Sequence, residues 1–127
     1  MIENYFLELL QKLFVSPAVS SFKTVKEKVQ EEDGYIRIKC RLQRGHRLEF
    51  AEYVQAHGSS IVVVTYNYHW QDAHGVLVRR WDNVPHHRGV DSFPHHLHIS
   101  EAEVIGSGPT TLQMVLREIE ARLLKPV

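Results

Sequence analysis

Histidines are the residues of this sequence whose number and spacing most clearly indicate chemistry. The chain holds nine histidines among 127 residues. Because imidazole titrates near neutral pH and binds metals, a dense group of them indicates a functional segment. Five fall within one short stretch built from two Pro-His-His units: His86, His87, His95, His96 and His98.

One chemistry that fits this histidine segment is metal-independent cleavage of RNA. A neutral imidazole takes the proton of a ribose 2′-hydroxyl, and a protonated imidazole donates one to the leaving 5′-oxygen. Both come from the segment, with His69 as a further candidate. Arg79 and Arg80 are candidates for binding the phosphate, and one of them faces the site because strand neighbours alternate. Asp82 could orient an imidazole, and Asn83 beside it completes the polar candidates for substrate binding.

A second chemistry is metal binding. His96 and His98 occupy alternate positions and could point the same way from an extended segment, with His95 as a third nitrogen ligand for a divalent metal. The sequence has no paired-cysteine or His-Glu-x-x-His spacing, so the leading interpretation has no metal and no other cofactor. A third interpretation makes the histidines structural. In the last two cases the protein is a non-enzymatic binding module, and a metal-dependent hydrolase is the intermediate alternative that the sequence leaves open.

Strands must position these residues. Short turns join the segments, one of them with Gly75 in a left-handed conformation, so neighbouring strands are antiparallel and form a meander of four or five. Residues 83–108 show no clear periodicity and are predicted to be a loop. Alternating or β-rich segments predict the strands: residues 20–30, 35–42, 47–55, 60–70 and 76–82. Residues 20–30 are the least regular of these and would also suit a helix, but we favour a strand.

The strand at 35–42 has a basic outer face formed by Arg37, Lys39 and Arg41. Such a face could follow a phosphate backbone, although a solvated strand face usually carries charges for solubility alone. The other residues of this strand are apolar, and Cys40 among them is predicted to be a small buried residue.

Aromatic residues alternate along the strand at 60–70. Tyr66, Tyr68 and Trp70 have the spacing of a base-stacking platform, but aromatic residues in this pattern more often belong to the core, which we favour. Tyr68 nevertheless stays among the substrate-binding candidates. Asn67 and His69 then share the opposite face.

A helix is predicted at each end of the chain. Residues 2–14 place apolar side chains at helical spacing, and Ser16-Pro17 ends this helix. Near the C-terminus, Thr110 with Gln113 is interpreted as a capping box that opens a second amphipathic helix. Helices that each bury one face against an antiparallel sheet make a single α+β domain over residues 1–127.

Composition limits the classes of function. Fifteen basic residues balance fifteen acidic ones, so attraction to nucleic acid must come from a local patch. The longest apolar run, Ile61 to Val64, is too short to span a membrane, and the N-terminus does not resemble a signal peptide. One cysteine suits a reducing compartment, so we expect a cytoplasmic protein with no membrane association.

One long string of residues is unusual in composition: Tyr66-x-Tyr68-His69-x-Gln71-Asp72-x-x-Gly75-x-Leu77-x-x-Arg80-Trp81-Asp82-Asn83-x-Pro85-His86-His87 and Phe93-Pro94-His95-His96-x-His98. This string resembles the TumE family, the toxin half of type II toxin–antitoxin modules. The resemblance also includes residues 52–54 and the C-terminal helix. It implies a growth-inhibiting toxin held inactive by an antitoxin, commonly a helix-turn-helix protein; RNA as the substrate follows by analogy with other small toxins. A homodimer is left open.

Overall fold

The computed structural model describes residues 1–83 and 94–125. A single-turn 3-10 helix, Gln43–Gly45, lies between the second and third strands. No helix in these two ranges is long and apolar enough to cross a membrane. The elements in chain order are α1 (Ile2–Val15), β1 (Val19–Val29), β2 (Asp33–Leu42), β3 (Arg47–His57), β4 (Ser60–Gln71), β5 (Leu77–Asp82), β6 (His96–His98), β7 (Val104–Gly106) and α2 (Leu112–Leu123).

The described strands form one antiparallel meander in which every strand pairs with its neighbours in the chain, in the order β1 to β7. The predicted α+β fold, with a helix at either end of the chain, is confirmed, and so is the least regular predicted strand, β1. The sheet has seven strands instead of four or five. The prediction of an uninterrupted loop over residues 83–108 is wrong for β6 and β7, which are three residues each and too short for a detectable alternation.

The core lies between one face of the sheet and the two helices. Alternate residues of β2, β3 and β4 point into it, and they form a single cluster with the apolar stripes of α1 and α2. Tyr66, Tyr68 and Trp70 belong to this cluster, which confirms that they are core residues. Cys40 is buried there as predicted.

The helix ends follow local chemistry. The backbone N–H of Ser16 bonds to the carbonyl of Lys12 and closes α1 immediately before Pro17, as predicted. The predicted capping box at Thr110 is wrong by one position. Thr111 is the N-cap of α2, and its hydroxyl accepts a bond from the backbone N–H of Met114. The side chain of Thr110 bonds instead to the carbonyl of Gly108.

The β4–β5 hairpin has the predicted turn. Gly75 adopts φ +80°, a left-handed conformation that is easiest for glycine. A carboxylate oxygen of Asp72 accepts bonds from the backbone N–H groups of His74 and Val76, which holds the turn closed. This hairpin sets the register between β4 and β5 and thereby places β5 beside His69 of β4.

Candidate active site

The face of the sheet opposite the helices, called the far face below, carries the polar side chains of the strands. The strand register aligns these side chains in rows that cross the sheet. The first, the His69 row, contains in order Lys23, Lys39, Glu49, His69, Arg80 and His98. The second, the Asp82 row, contains Lys26, Arg37, Ala51, Asn67, Asp82 and His96. Predicted catalytic residues that are distant in sequence thus become neighbours.

Two hollows lie on the far face. The larger, of about 510 Å³, includes Lys23, Lys39, Arg41 and Arg47 in its lining, and the smaller, of about 240 Å³, includes Arg37 and Arg80. His69 and Glu49 line both. The two linings hold six basic residues and one acid, so this side of an electrically neutral chain favours an anionic ligand.

His69 therefore lies where the two hollows meet, half-buried and next to Arg80. Its burial, and after that the nearby guanidinium of Arg80, lower the pKa of His69 below the ordinary 6.5, while Glu101 and Glu49 act in the opposite direction. The imidazole is consequently neutral at pH 7, the state that a general base requires.

Asp82 gathers a buried cluster at the other end of the rows. One of its carboxylate oxygens lies 2.5 Å from Nε2 of His96, and the other lies 3.4 Å from Nε2 of His98 and 3.4 Å from Nε of Arg80. The Asp82 and His96 side chains are only 2% and 1% exposed. The structure thus brings Asp82, His96 and His98 together, and the two imidazole rings meet edge to face. That Asp82 orients a catalytic imidazole stays a prediction.

The hydrogen bonds of this cluster restrict its proton positions. Nδ1 of His96 lies 2.9 Å from the carbonyl of Pro94, which can only accept, so Nδ1 carries a proton and Nε2 is directed at Asp82. Arg80 approaches Nε2 of His98 to 3.0 Å. Since arginine only donates, the ring nitrogen that accepts from it is unprotonated. Asp82 and His98 together hold the Arg80 guanidinium at the edge of the smaller hollow.

The same cluster has the donor set of a metal site. One ligand atom from each of Asp82, His96 and His98 lies within 4.8 Å of the others. The Pro94 carbonyl orients the His96 ring as carbonyls orient histidine ligands in metal centres. His95, the third member of the predicted trio, lies elsewhere: its Nδ1 is 2.8 Å from the hydroxyl of Tyr66, and the two rings stack.

Other predicted residues have structural surroundings. Arg79 points toward the helices and forms a 3.9 Å ion pair with Glu118 of α2, so Arg80 is the arginine on the far face, in agreement with the predicted alternation. The side-chain amide of Asn83 accepts a hydrogen bond from the backbone N–H of Tyr66 and donates one to the carbonyl of Val64, so it is bonded to β4. Tyr68 is fully buried, and its hydroxyl donates to Glu52.

Two predicted residues, His86 and His87, lie outside the described residues. The sequence interpretation missed Glu49, which bonds to Arg37 over 2.7 Å and lies opposite His69 on β3. The alternation of residues 47–55 contains the signal, because it places Arg47, Glu49 and Tyr53 on the face opposite Leu48 and Phe50.

The predicted basic strand face is confirmed. Lys39 and Arg41 are exposed and Arg37 is half-buried, all on the far face. In β1, Lys23 and Lys26 extend this basic surface to the sheet edge. The candidate site is therefore larger than the histidine segment, since five further strands, β1 to β5, contribute to it.

Comparison with known protein families places this two-helix, single-sheet protein among toxins. The family described as Toxin TumE matches residues 6–123, nearly the whole chain. The chain belongs to the TumE family, which confirms the resemblance and indicates a cognate antitoxin as a partner. No curated protein and no solved structure gives a significant match.

Proposed function

We propose that this TumE-family toxin is a metal-independent endoribonuclease whose substrate lies along the far face of the sheet. The observation that supports the proposal is the position of His69, between two hollows lined with basic residues and beside Arg80. Phosphates follow basic grooves, and a neutral imidazole beside a cation is the pair that phosphoryl transfer on RNA needs.

In the proposed reaction, His69 takes the proton of a ribose 2′-hydroxyl. The 2′-oxygen then forms a bond to phosphorus while the bond to the 5′-oxygen breaks, which gives a 2′,3′-cyclic phosphate and a 5′-hydroxyl end. Arg80 stabilises the negative charge that develops on the phosphorane. Asp82 and His98 position that guanidinium. The leaving oxygen takes its proton from a second imidazole of the histidine segment. His86 and His87 are the candidates, because His95 stacks on Tyr66, His96 is bonded to Asp82 and Pro94, and His98 accepts from Arg80.

The test uses purified, untagged protein and single-stranded RNA in excess chelator. We expect fragments that end in 2′,3′-cyclic phosphate. His69→Ala and Arg80→Gln should each lower the rate at least about a hundredfold, the usual effect of removing an acid–base or charge-stabilising group. His57→Ala, which changes an exposed histidine at the end of β3, is the matched control and should cleave like wild type. RNA that stays intact across several sequences would reject the reaction.

A second candidate function is a non-enzymatic binding module that holds a divalent metal. The convergence of Asp82, His96 and His98 favours it, because two imidazoles and one carboxylate can provide three ligands of a zinc site. Elemental analysis of untagged protein separates the two functions. One equivalent of zinc that disappears in His96→Ala, together with toxicity that survives in His69→Ala, would favour the binding module.

The partners belong to the same proposal. We infer a helix-turn-helix antitoxin encoded beside the toxin, action on cytoplasmic RNA, and a toxin that can form homodimers when free. Co-expression of the neighbouring gene with tagged toxin tests the first point. Co-purification and loss of toxicity are expected, and light scattering of the free toxin measures its oligomeric state.

A further inference from the structure

Two tyrosines form a cross-strand pair on the far face. Tyr35 of β2 lies directly opposite Tyr53 of β3, and each is half-buried. Both strands lie inside the sheet, with β1 and β4 on either side. In the described strands these are the far-face aromatic residues other than histidines. They differ from Tyr66, Tyr68 and Trp70, which the core encloses.

The hydroxyl groups of both tyrosines form hydrogen bonds with neighbouring side chains of β2 and β3. Nε of Arg37 donates to the hydroxyl of Tyr35 over 3.1 Å. The hydroxyl of Tyr53 donates to Asp33 over 2.9 Å and accepts from Gln55 over 3.1 Å. Each tyrosine hydroxyl thus bonds to a side chain two positions away on its own strand, which restrains the position of the ring. Fixed rings lose little freedom when a planar group stacks on them.

Basic side chains lie beside Tyr35, while Tyr53 is bonded to the acidic Asp33. Nζ of Lys26 lies 5.7 Å from the centre of the Tyr35 ring, and Lys28 is the β1 partner of Tyr35. Arg37 follows Lys26 in the Asp82 row. Aromatic rings within a basic groove are the arrangement by which proteins bind single-stranded nucleic acid, since bases stack on the rings and phosphates follow the cations.

The spacing connects the pair with the proposed reaction centre. Tyr53 and Glu49, the β3 residue of the His69 row, are four residues apart, or roughly 13 Å along a strand. A single strand of RNA covers this distance with a few nucleotides. A base stacked on the tyrosines would therefore belong to the same strand whose phosphate lies at His69.

We propose that Tyr35 and Tyr53 form a base-stacking subsite that makes single-stranded RNA the ligand of the far face. The subsite rests on the proposed function, because it assigns the class of substrate that lies along the same face of the sheet. Duplex RNA is excluded as the preferred ligand, since its bases are stacked on one another and cannot lie on the tyrosines.

The experiment measures binding apart from cleavage. The probe is a single-stranded 2′-O-methyl RNA decamer, which lacks the attacking hydroxyl and stays intact with wild-type protein. It carries 2-aminopurine, whose fluorescence falls when the base stacks on an aromatic ring. We expect quenching with wild type, and binding at least about fivefold weaker in Tyr35→Leu and Tyr53→Leu, the lower bound for losing one stacked base. Tyr35→Phe and Tyr53→Phe keep the rings and should bind within about twofold of wild type.

Two further probes distinguish base stacking by the two tyrosines from an electrostatic or purely structural role of these residues. An abasic decamer should bind wild type and the leucine variants equally, and duplex RNA should compete poorly. Leucine variants that bind and quench like wild type would overturn the subsite, while cleavage of natural RNA by wild type would leave the proposed function intact. If a leucine variant fails to fold, wild-type protein still decides the matter, because equal affinity for abasic and base-containing decamers also overturns the subsite. Absence of all binding and cleavage by wild type would overturn both proposals.

Discussion

A carboxylate oxygen of Asp82 lies 2.5 Å from Nε2 of His96, and both side chains are almost completely buried. The same carboxylate faces Arg80 and His98, so one acidic group neutralises the polar cluster that joins β5 to β6. β6 is only three residues long and forms few backbone bonds, so we expect this cluster to help attach it to the sheet.

Asp82→Asn tests that dependence. The amide has no charge to offset Arg80, and breaking a buried pair by removing one partner typically costs about 3–5 kcal/mol. We expect a loss of that size in the free energy of unfolding, measured by urea denaturation. Glu31→Gln, in the exposed β1–β2 turn, is the control and should stay within about 0.5 kcal/mol of wild type. An Asp82→Asn protein as stable as wild type would contradict the structural importance of the cluster.

Replacing a charged neighbour of His69 should shift the pKa of His69 in the direction that the lost charge determines. Arg80 is one of the groups that lower it, so Arg80→Gln should raise the pKa of His69 toward 6.5 or above. Glu49 raises the pKa of His69, so Glu49→Gln should lower it further. NMR titration of the His69 ring measures both shifts without any substrate. A pKa that does not change in Arg80→Gln would show that the two side chains do not interact.

Cleavage should follow the same titration. A base acts when neutral and an acid when protonated, so activity should rise with pH through the lowered pKa of His69 and fall again where the imidazole that acts as the acid loses its proton. Residual activity of Arg80→Gln should have this rising limb at higher pH than wild type. An unchanged rising limb would assign the base to another histidine.

Hydrophobic alternation was enough to predict most of the sheet. Ile36, Ile38 and Cys40 alternate with basic residues over a full strand, and Phe50 and Trp70 continue the pattern in neighbouring strands. β6 could not be predicted, because its sequence His-Leu-His has one apolar residue, and the partners that stabilise it, Asp82 and Arg80, come from β5.

The histidine segment indicated a site but did not define its members. His95 and His96 are neighbours in sequence, yet one stacks on Tyr66 and the other is bonded to Asp82. Neighbouring residues of a strand point to opposite faces of the sheet, which places the two imidazoles apart. This rule can be applied only once the segment is known to be a strand. The sequence alone makes His69 only a further candidate. Its position in the site depends on the register between β4 and β5, and the sequence does not determine that register.

Gly34→Ala should destabilise the contact between α1 and β2. A Cβ atom at this position would lie 2.8 Å from Cγ2 of Ile2 and 3.2 Å from Cε2 of Phe6, with the carbonyl of Lys28 at 3.1 Å. Overpacking of this kind costs roughly 1–3 kcal/mol. Thermal and urea unfolding measure the loss. Gly108→Ala, where no atom lies within 4 Å of the new Cβ, is the matched control and should be nearly neutral.

Glu52 is a buried carboxyl group whose effect on stability should depend on pH. Its carboxylate accepts hydrogen bonds from Tyr5 of α1 over 2.5 Å and from Tyr68 over 2.6 Å. Burial nevertheless raises the pKa of Glu52 above 4.5, although both tyrosines and Lys12 lower it. The folded protein therefore holds the proton more tightly than the unfolded chain does, and the associated stability is lost as pH rises through the raised pKa.

Glu52→Gln removes this titration while keeping the shape of the side chain. We expect the free energy of unfolding of wild type, relative to Glu52→Gln, to fall as pH rises from 4.5 into the neutral range. Urea denaturation at several pH values measures the difference between the two proteins. Glu31→Gln should show no such trend, since its carboxyl group is exposed in both states. A difference that stays constant with pH would mean that Glu52 has the same proton affinity in the folded and unfolded chains, so the cost of burying it would be offset in full by the two tyrosine hydroxyls.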